Sequence, residues 1–179
     1  MRVFFYFCIA FQGIVIPENC SCFMVNIVQN TPSLLIPKEI FKEEQIHKYW
    51  NVLHPDAPHE NIGKDELESY FLLYPKPKEV DSIHEISVLY KEFLEKFPNQ
   101  ENAICINLYD KSFNMLVLKN RSIIYSGYFL YSVNEDILYH ITNIYRHFFD
   151  DGTQIVLGYQ QLLPDALRLL NNYYEMVKI

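Results

Sequence analysis

AICINLYDKSFNMLVLKNRSIIYSGYFLY, residues 103–131, is the stretch that decides the fold. Apolar residues alternate through its first part, so that Ile104, Ile106 and Leu108 share one face of a strand. Two short polar breaks, Asp110-Lys111-Ser112 and Lys119-Asn120, are typical of tight turns between paired strands. The pattern therefore predicts three consecutive antiparallel strands: Ala103–Tyr109, Phe113–Leu118 and Ser122–Tyr131, the last with a bulge at Gly127.

The sequence after this stretch predicts helices that alternate with strands. Ser132 and Glu135 have the spacing of a capping box, which predicts a helix start, and Gly152 is suited to the left-handed residue after the helix end. Three further elements follow: a buried strand over Thr153–Leu157, a helix starting near Pro164, and an edge strand over Glu175–Ile179. Three antiparallel strands followed by helix crossovers onto parallel strands indicate a ribonuclease-H-like α/β fold.

The sequence before residue 103 predicts a second α/β unit. Pro37 is suited to the first position of a helix, and Ser82 with Glu85 has the spacing of another capping box. Short strands are predicted between and before these helices: Phe23–Val28, Ser33–Ile36 and Ser69–Tyr74. The polar segment PNQEN at 98–102 marks a boundary. We therefore predict two lobes, a reduced first lobe over 1–98 and a ribonuclease-H-like second lobe over 99–179.

Composition restricts the function. The 179 residues include 15 basic and 22 acidic side chains, a net charge of −7, which argues against a protein that binds nucleic acid through its phosphates. Half of the residues are apolar and 16% are aromatic, which is enough to fold around a core. Cys105 lies in an apolar run and is predicted to be a buried small hydrophobe.

The apolar run Val3–Phe11 is interpreted as a buried strand, with a signal peptide over Met1–Phe11 as the alternative, and no run is long enough to span a membrane. The expected compartment is the cytoplasm.

Two kinds of catalytic or nucleotide site fit this fold class. In an ATP-binding protein, Asp110, Lys111 and Ser112 would line the phosphate end and Gly158 the adenosine end, with Mg-ATP as the cofactor. However, the turn contains no glycine to let the backbone approach a phosphate. A metal-dependent nuclease would need converging carboxylates, for which Asp110 and either Glu135 or Asp136 are the candidates. The following strand, TQIVLG, contains no acid, which makes the nuclease the more remote alternative.

The chain resembles a bacterial domain family of unknown function that has an actin-like ATPase fold of two ribonuclease-H-like lobes. The resemblance extends over about residues 23–179 and is strongest after Asn102. It rests on LIPKEIF at 35–41 with the helix, loop and strand that follow, on AICINLYDKSFNMLVLKNRSIIYSGYF at 103–129, on NEDILYHI at 134–141 and on QIVLG at 154–158. Members are longer than this chain, which implies either a reduced first lobe or a late start with Met1–Cys22 as a remnant. Distant relatives include pilus-assembly and cell-division scaffolds with actin-like folds.

The resemblance and the residues together lead to one expected function. We expect a non-catalytic actin-like assembly or protein-binding module with a degenerate nucleotide site, no cofactor, and a protein as its partner. The aromatic side chains on the third strand and the following helix fit a core, and those that face outward fit a partner surface. The alternatives are an ATP-binding actin-like protein and, more remotely, a metal-dependent nuclease.

Overall fold

The computed structural model describes residues 26–55, 61–77, 81–160 and 163–179. The predictions for the apolar run Val3–Phe11, for a signal peptide over Met1–Phe11 and for a remnant over Met1–Cys22 fall outside these residues.

The described residues between 26 and 96 form two small sheets, two α-helices and a short 3-10 helix. A three-stranded antiparallel sheet has the order β2-β4-β3, and strand β1 pairs with β5 in parallel. The elements are β1 (Asn26–Val28), β2 (Leu34–Pro37), a short 3-10 helix (Glu43–Gln45), α1 (Ile46–Leu53), β3 (Ile62–Glu66), β4 (Tyr70–Pro75), β5 (Ser82–His84) and α2 (Glu85–Lys96).

Residues 103–178 form a five-stranded sheet with the order β10-β9-β6-β7-β8. Strands β6, β7 and β8 are antiparallel, and β9 and β10 run parallel to β6. The elements are β6 (Ala103–Leu108), β7 (Ser112–Lys119), β8 (Ser122–Leu130), α3 (Asn134–Phe148), β9 (Val156–Tyr159), α4 (Pro164–Leu170) and β10 (Glu175–Lys178). This order confirms the predicted α/β fold with three antiparallel strands followed by helix, strand and helix.

The five-stranded sheet is covered on both faces. One face packs against α3 and α4, around Ile106, Ile137 and Leu170. The other face packs against α2 and the three-stranded sheet, where Phe93 and Leu72 join one buried cluster with residues of β6 and β7. That cluster therefore joins residues on both sides of the predicted boundary at 98/99.

The backbone angles after β7 and after α3 agree with the turn and the helix end predicted from the sequence. Asn120 and Arg121 have φ angles of 51° and 66° between β7 and β8, as a tight hairpin turn requires. Gly152 has a φ of 86° after α3, in the left-handed region where a glycine has no Cβ penalty. The predicted bulge at Gly127 is wrong, because Gly127 pairs regularly with Met115 and the register shift lies between Val117 and Leu118.

The predicted helix starts at Pro37, Ser82 and Ser132 are also wrong. Pro37 is the last residue of β2, and the ladder continues one residue further because Lys38 N donates to Ser69 O at 3.1 Å. Ser82 begins strand β5, and the N-cap of α2 is His84, two residues after the predicted cap. The helix α3 begins after Val133, where Asp136, and not Glu135, accepts hydrogen bonds from the backbone.

Candidate functional site

The turn between β6 and β7 carries three of the four residues predicted for a nucleotide site. Tyr109 N donates to Ser112 O at 2.8 Å, which closes the turn, and Asp110 and Lys111 are exposed at its tip. The Lys111 carbonyl accepts from Tyr131 N at 3.1 Å, which ties the turn to the end of β8. The structure therefore brings Asp110, Lys111 and Ser112 together, as adjacent residues of one turn.

The Ser112 side chain faces the interior and not the tip of the turn. Ser112 is 4% exposed, and its hydroxyl donates to Asn30 Oδ1. Asn30 lies between β1 and β2 and has a φ of 55°, a conformation that asparagine tolerates better than most residues. The hydroxyl that was predicted to face a phosphate is thus hydrogen-bonded within the protein.

Gly158 lies apart from this turn. It is inside β9, opposite Cys105 of β6, so it is five residues, or about 16 Å of extended strand, from the register position of Asp110. A Cβ on Gly158 would lie 2.6 Å from Ile179 Cδ1 and 3.1 Å from Cys105 Sγ. The glycine therefore gives space to the side chain of Ile179 in the core, and the structure does not group Gly158 with the turn residues.

A buried carboxylate, that of Glu85, lies behind the turn at the start of α2. Glu85 is 1% exposed, and both of its oxygens accept hydrogen bonds from the chain. Oε1 accepts from Asn30 N and Asn114 Nδ2, each at 2.6 Å. Oε2 accepts from Asn107 Nδ2 at 2.6 Å and from the hydroxyl of Tyr109. We name these five residues the Glu85 cluster: Asn30, Glu85, Asn107, Tyr109 and Asn114.

Strand register positions two of the donors. Asn107 of β6 and Asn114 of β7 are directly opposite each other, on the sheet face that packs against α2. Both are buried, at 2% and 0% exposure. Asn114 Oδ1 has no hydrogen-bond partner among the described residues, so its amide contributes only donors to this cluster. The side-chain amides of these two opposed residues therefore each donate a hydrogen bond to the Glu85 carboxylate.

The electrostatics of the cluster follow from its burial. Burial raises the pKa of the Glu85 carboxyl above its usual range, and the hydrogen bonds from Tyr109, Asn30, Asn107 and Asn114 oppose that shift. Burial also raises the pKa of the Tyr109 hydroxyl, and the adjacent Glu85 carboxylate raises it further. The five residues of the cluster surround the Glu85 carboxyl with hydrogen-bond donors and include no cation.

A second polar group lies next to Glu85. The Asp65 carboxylate accepts from His84 N at 2.8 Å, from Ser87 Oγ at 2.6 Å and from Tyr74 OH at 2.8 Å. His84 is fully buried, and burial lowers the pKa of its imidazole to about 4. Its Nδ1 accepts from Ile86 N at 3.2 Å and so caps α2. Asp65 and His84 therefore fix the first turn of α2, from which Glu85 projects.

Sequence reasoning missed the Glu85 cluster. Glu85 was assigned to a capping box with Ser82, although its side chain in fact contacts residues that are 22 and 29 positions away. Asn107 and Asn114 were the available signal, because each is a polar residue inside an apolar strand that is buried on both faces. Such residues indicate a buried hydrogen-bond partner, although the sequence does not say which one.

The carboxylates proposed for a nuclease are dispersed. Asp110 is at the exposed tip of the turn, whereas Asp136 accepts from Ser132 N at 2.8 Å and Val133 N at 3.1 Å at the start of α3. Within the described ranges, no three His, Cys, Asp or Glu side chains lie close enough together to hold a metal ion. The same part of the chain has no helix with the length and apolar character needed to cross a membrane.

The fold defines the class of protein. A solved structure from Bacteroides thetaiotaomicron VPI-5482, described as a protein with actin-like ATPase fold and unknown function, superposes with a TM-score of 0.70 at 14% identity. The match covers 86% of this chain and 66% of that one, so this chain spans just under two thirds of the length of that protein. At this identity the likeness shows the fold alone, which is actin-like.

The sequence then defines the family. Residues 24–157 match the family described as "Protein of unknown function (DUF3822)", and the chain belongs to it. The resemblance to a family of unknown function with an actin-like fold is thereby confirmed. A search of the curated proteins gave no match. The nucleotide roles of Asp110, Lys111, Ser112 and Gly158 stay predictions.

Proposed function

We propose that this protein is a non-catalytic, actin-like protein-binding module with a degenerate nucleotide site. The observation that carries the proposal is the Glu85 cluster. Amide N–H groups and hydroxyls that converge on one point form an anion site, and here the anion is a carboxylate of the same chain.

The charge distribution around the turn supports this proposal. A phosphate that approached the turn from the interior would meet the Glu85 carboxylate, and one that approached the tip would meet Asp110. Lys111 is the cation of the turn, and Asp110 adjoins it. Since the turn has no glycine, Cβ atoms also stand where the backbone would have to approach a phosphate.

The proposed partner is another protein, and the proposed compartment is the cytoplasm. Support for the partner comes from large apolar side chains at the surface, among them Ile40 and Val52, which are 62% and 70% exposed. The alternative is an ATP-binding protein in which Asp110 and Lys111 bind the phosphates. The exposure of Asp110 and Lys111 favours this alternative, because a ligand in solution can reach both side chains.

Thermal unfolding with and without millimolar Mg-ATP tests the proposal. A ligand at a hundred times its dissociation constant stabilises the folded state by about 2.7 kcal/mol, which shifts the midpoint by several degrees. We expect no shift and no phosphate release from ATP. The variant Lys111→Ala is the control that shows whether any stabilisation by Mg-ATP comes from binding at the turn between β6 and β7. A shift with wild type that disappears in Lys111→Ala would overturn the proposal in favour of the ATP-binding alternative.

A further inference from the structure

The groove between strand β2 and helix α1 is an apolar surface at the outer edge of the three-stranded sheet, as far as the described residues define that sheet. We propose that this β2–α1 groove binds an extended, mainly apolar peptide segment that carries an acidic residue and adds to β2 as a further strand. The inference rests on the proposed function, because it gives the protein-binding module a docking surface and its partner a chemical class.

The edge of β2 has backbone groups available for pairing. β2 is the outer strand of the order β2-β4-β3. The bond from Lys38 N to Ser69 O and the register Ile36↔Phe71 place the hydrogen bonds to β4 on even-numbered residues. The N–H and C=O of Leu35 therefore point away from β4, whereas Pro37, the next residue on that edge, offers only its C=O. An added strand would pair there, as in the β-augmentation mode of peptide recognition.

The walls of the groove are apolar. The groove has a volume of about 260 Å³ and is lined by the whole of β2, by Ile40, and by Lys48, Tyr49 and Val52 of α1. Ile40 and Val52 are 62% and 70% exposed, although both are large apolar side chains. The volume is below the roughly 300–1,000 Å³ of pockets that enclose drug-sized ligands, so it fits one or two anchoring side chains of a peptide.

The charge at the groove indicates an acidic residue in the partner. Lys48 is the charged residue of the lining. Two nearby lysines already have carboxylate partners, Lys38 with Glu66 at 2.7 Å and Lys64 with Glu43. Within the described part of the chain, Lys48 makes no ion pair. A carboxylate on the bound peptide would therefore form an ion pair with Lys48, the cation in the lining of the groove.

Selection from a library of displayed random peptides of about twelve residues tests the proposal with the full chain as bait. We expect selected peptides to alternate apolar with polar residues and to contain Asp or Glu. Val52→Gln should weaken binding of a selected peptide by about tenfold, since it removes an apolar contact. Leu130→Gln is the matched control, because Leu130 is equally exposed at 70% but lies on β8, and it should leave the affinity unchanged.

Charge reversal gives a second, independent readout. In Lys48→Glu the selected peptides should carry Lys or Arg in place of Asp or Glu. The proposal is overturned if no peptide is enriched, or if binding is insensitive to Val52→Gln. It is also overturned if size-exclusion chromatography shows a dimer that Val52→Gln dissociates, since the groove then binds a second copy.

Failure of this inference and failure of the proposed function are distinguishable. Stabilisation by Mg-ATP that depends on Lys111 overturns the degenerate nucleotide site and leaves the peptide groove standing. Absence of peptide binding, with no effect of Mg-ATP, overturns the groove and leaves the degenerate site standing.

Discussion

The Glu85 carboxyl is buried, and within the described cluster only hydrogen-bond donors stabilise its ionised form. Moving a carboxylate out of water costs several kcal/mol, and four donors offset a part of that cost. The pKa of Glu85 is raised because the effect of burial on the carboxylate is larger than the opposing effect of the hydrogen-bond donors. A neutral side chain of the same shape is therefore the informative exchange at this position.

Glu85→Gln should become more favourable relative to wild type as the pH rises. The folded protein keeps the Glu85 proton to a higher pH than the unfolded chain does, so its stability falls as pH rises from the ordinary value of 4.5 through the raised folded pKa. Glutamine removes that loss. The amide oxygen can accept from Asn30 N, while the Asn107 amide can turn to accept from the new NH₂. Urea unfolding at several pH values measures the difference.

Glu85→Ala is the contrasting exchange. It leaves the donors of Asn30, Asn107, Asn114 and Tyr109 without their acceptor, and we expect a loss of about 3 kcal/mol or more in the free energy of unfolding. If alanine is tolerated as well as glutamine, the donors do not depend on Glu85, and the cluster does not have the role given to it here.

His84 should reduce stability at acid pH. Burial lowers its folded pKa to about 4, whereas the unfolded chain binds the proton near 6.5. The unfolded state therefore binds more protons between these values, and stability is lost as the pH falls from about 6.5 to about 4, by up to about 3 kcal/mol. His84→Asn keeps an acceptor for Ile86 N and should flatten this slope. The exposed His47→Asn is the control, and an equal slope in His84→Asn and wild type would contradict the assignment.

At the scale of elements, local signals were sufficient where the contacts are local. Lys119 and Asn120 end one strand and start the next through a turn, and the order of β6 to β10 follows from alternation and periodicity. Pro37 shows the limit. Its fixed φ suits a helix start and a strand end equally, and pairing with β4, more than thirty residues away, decides between them. Glu85 was missed for the same reason, because all its partners are distant in sequence.

Two substitutions at the start of α3 distinguish capping by Asp136 from the capping box of Ser132 and Glu135 that the sequence predicts. Asp136 accepts from the backbone N–H groups of Ser132 and Val133, and these bonds hold the pKa of its carboxyl below the usual value. We expect Asp136→Ala to lower the midpoint of thermal unfolding and Ser132→Ala to leave it unchanged. Because the pKa is lowered, the stabilisation is present above pH 3.8 and lost at lower pH. A larger effect of Ser132→Ala would restore the capping box predicted from the sequence.

At the scale of the whole molecule, the helix α2 joins the two halves of the chain. It precedes the predicted boundary at 98/99, yet its apolar face packs on the sheet formed after that boundary. Leu116 of β7 and Leu72 of β4 belong to the same buried cluster. Two lobes with separate cores would unfold separately, whereas a shared core predicts one cooperative transition.

Trp50 makes this prediction measurable. It is the only tryptophan, it is fully buried, and it packs between α1 and the three-stranded sheet, so its fluorescence reports on the first half of the chain. We expect its urea transition to coincide with that of far-UV circular dichroism, which reports on all strands and helices. Leu116→Ala should shift both transitions together, by about 3 kcal/mol for a buried leucine. If the Trp50 transition stays in place while the dichroism moves, the halves unfold independently and the predicted two-lobe division is the correct description.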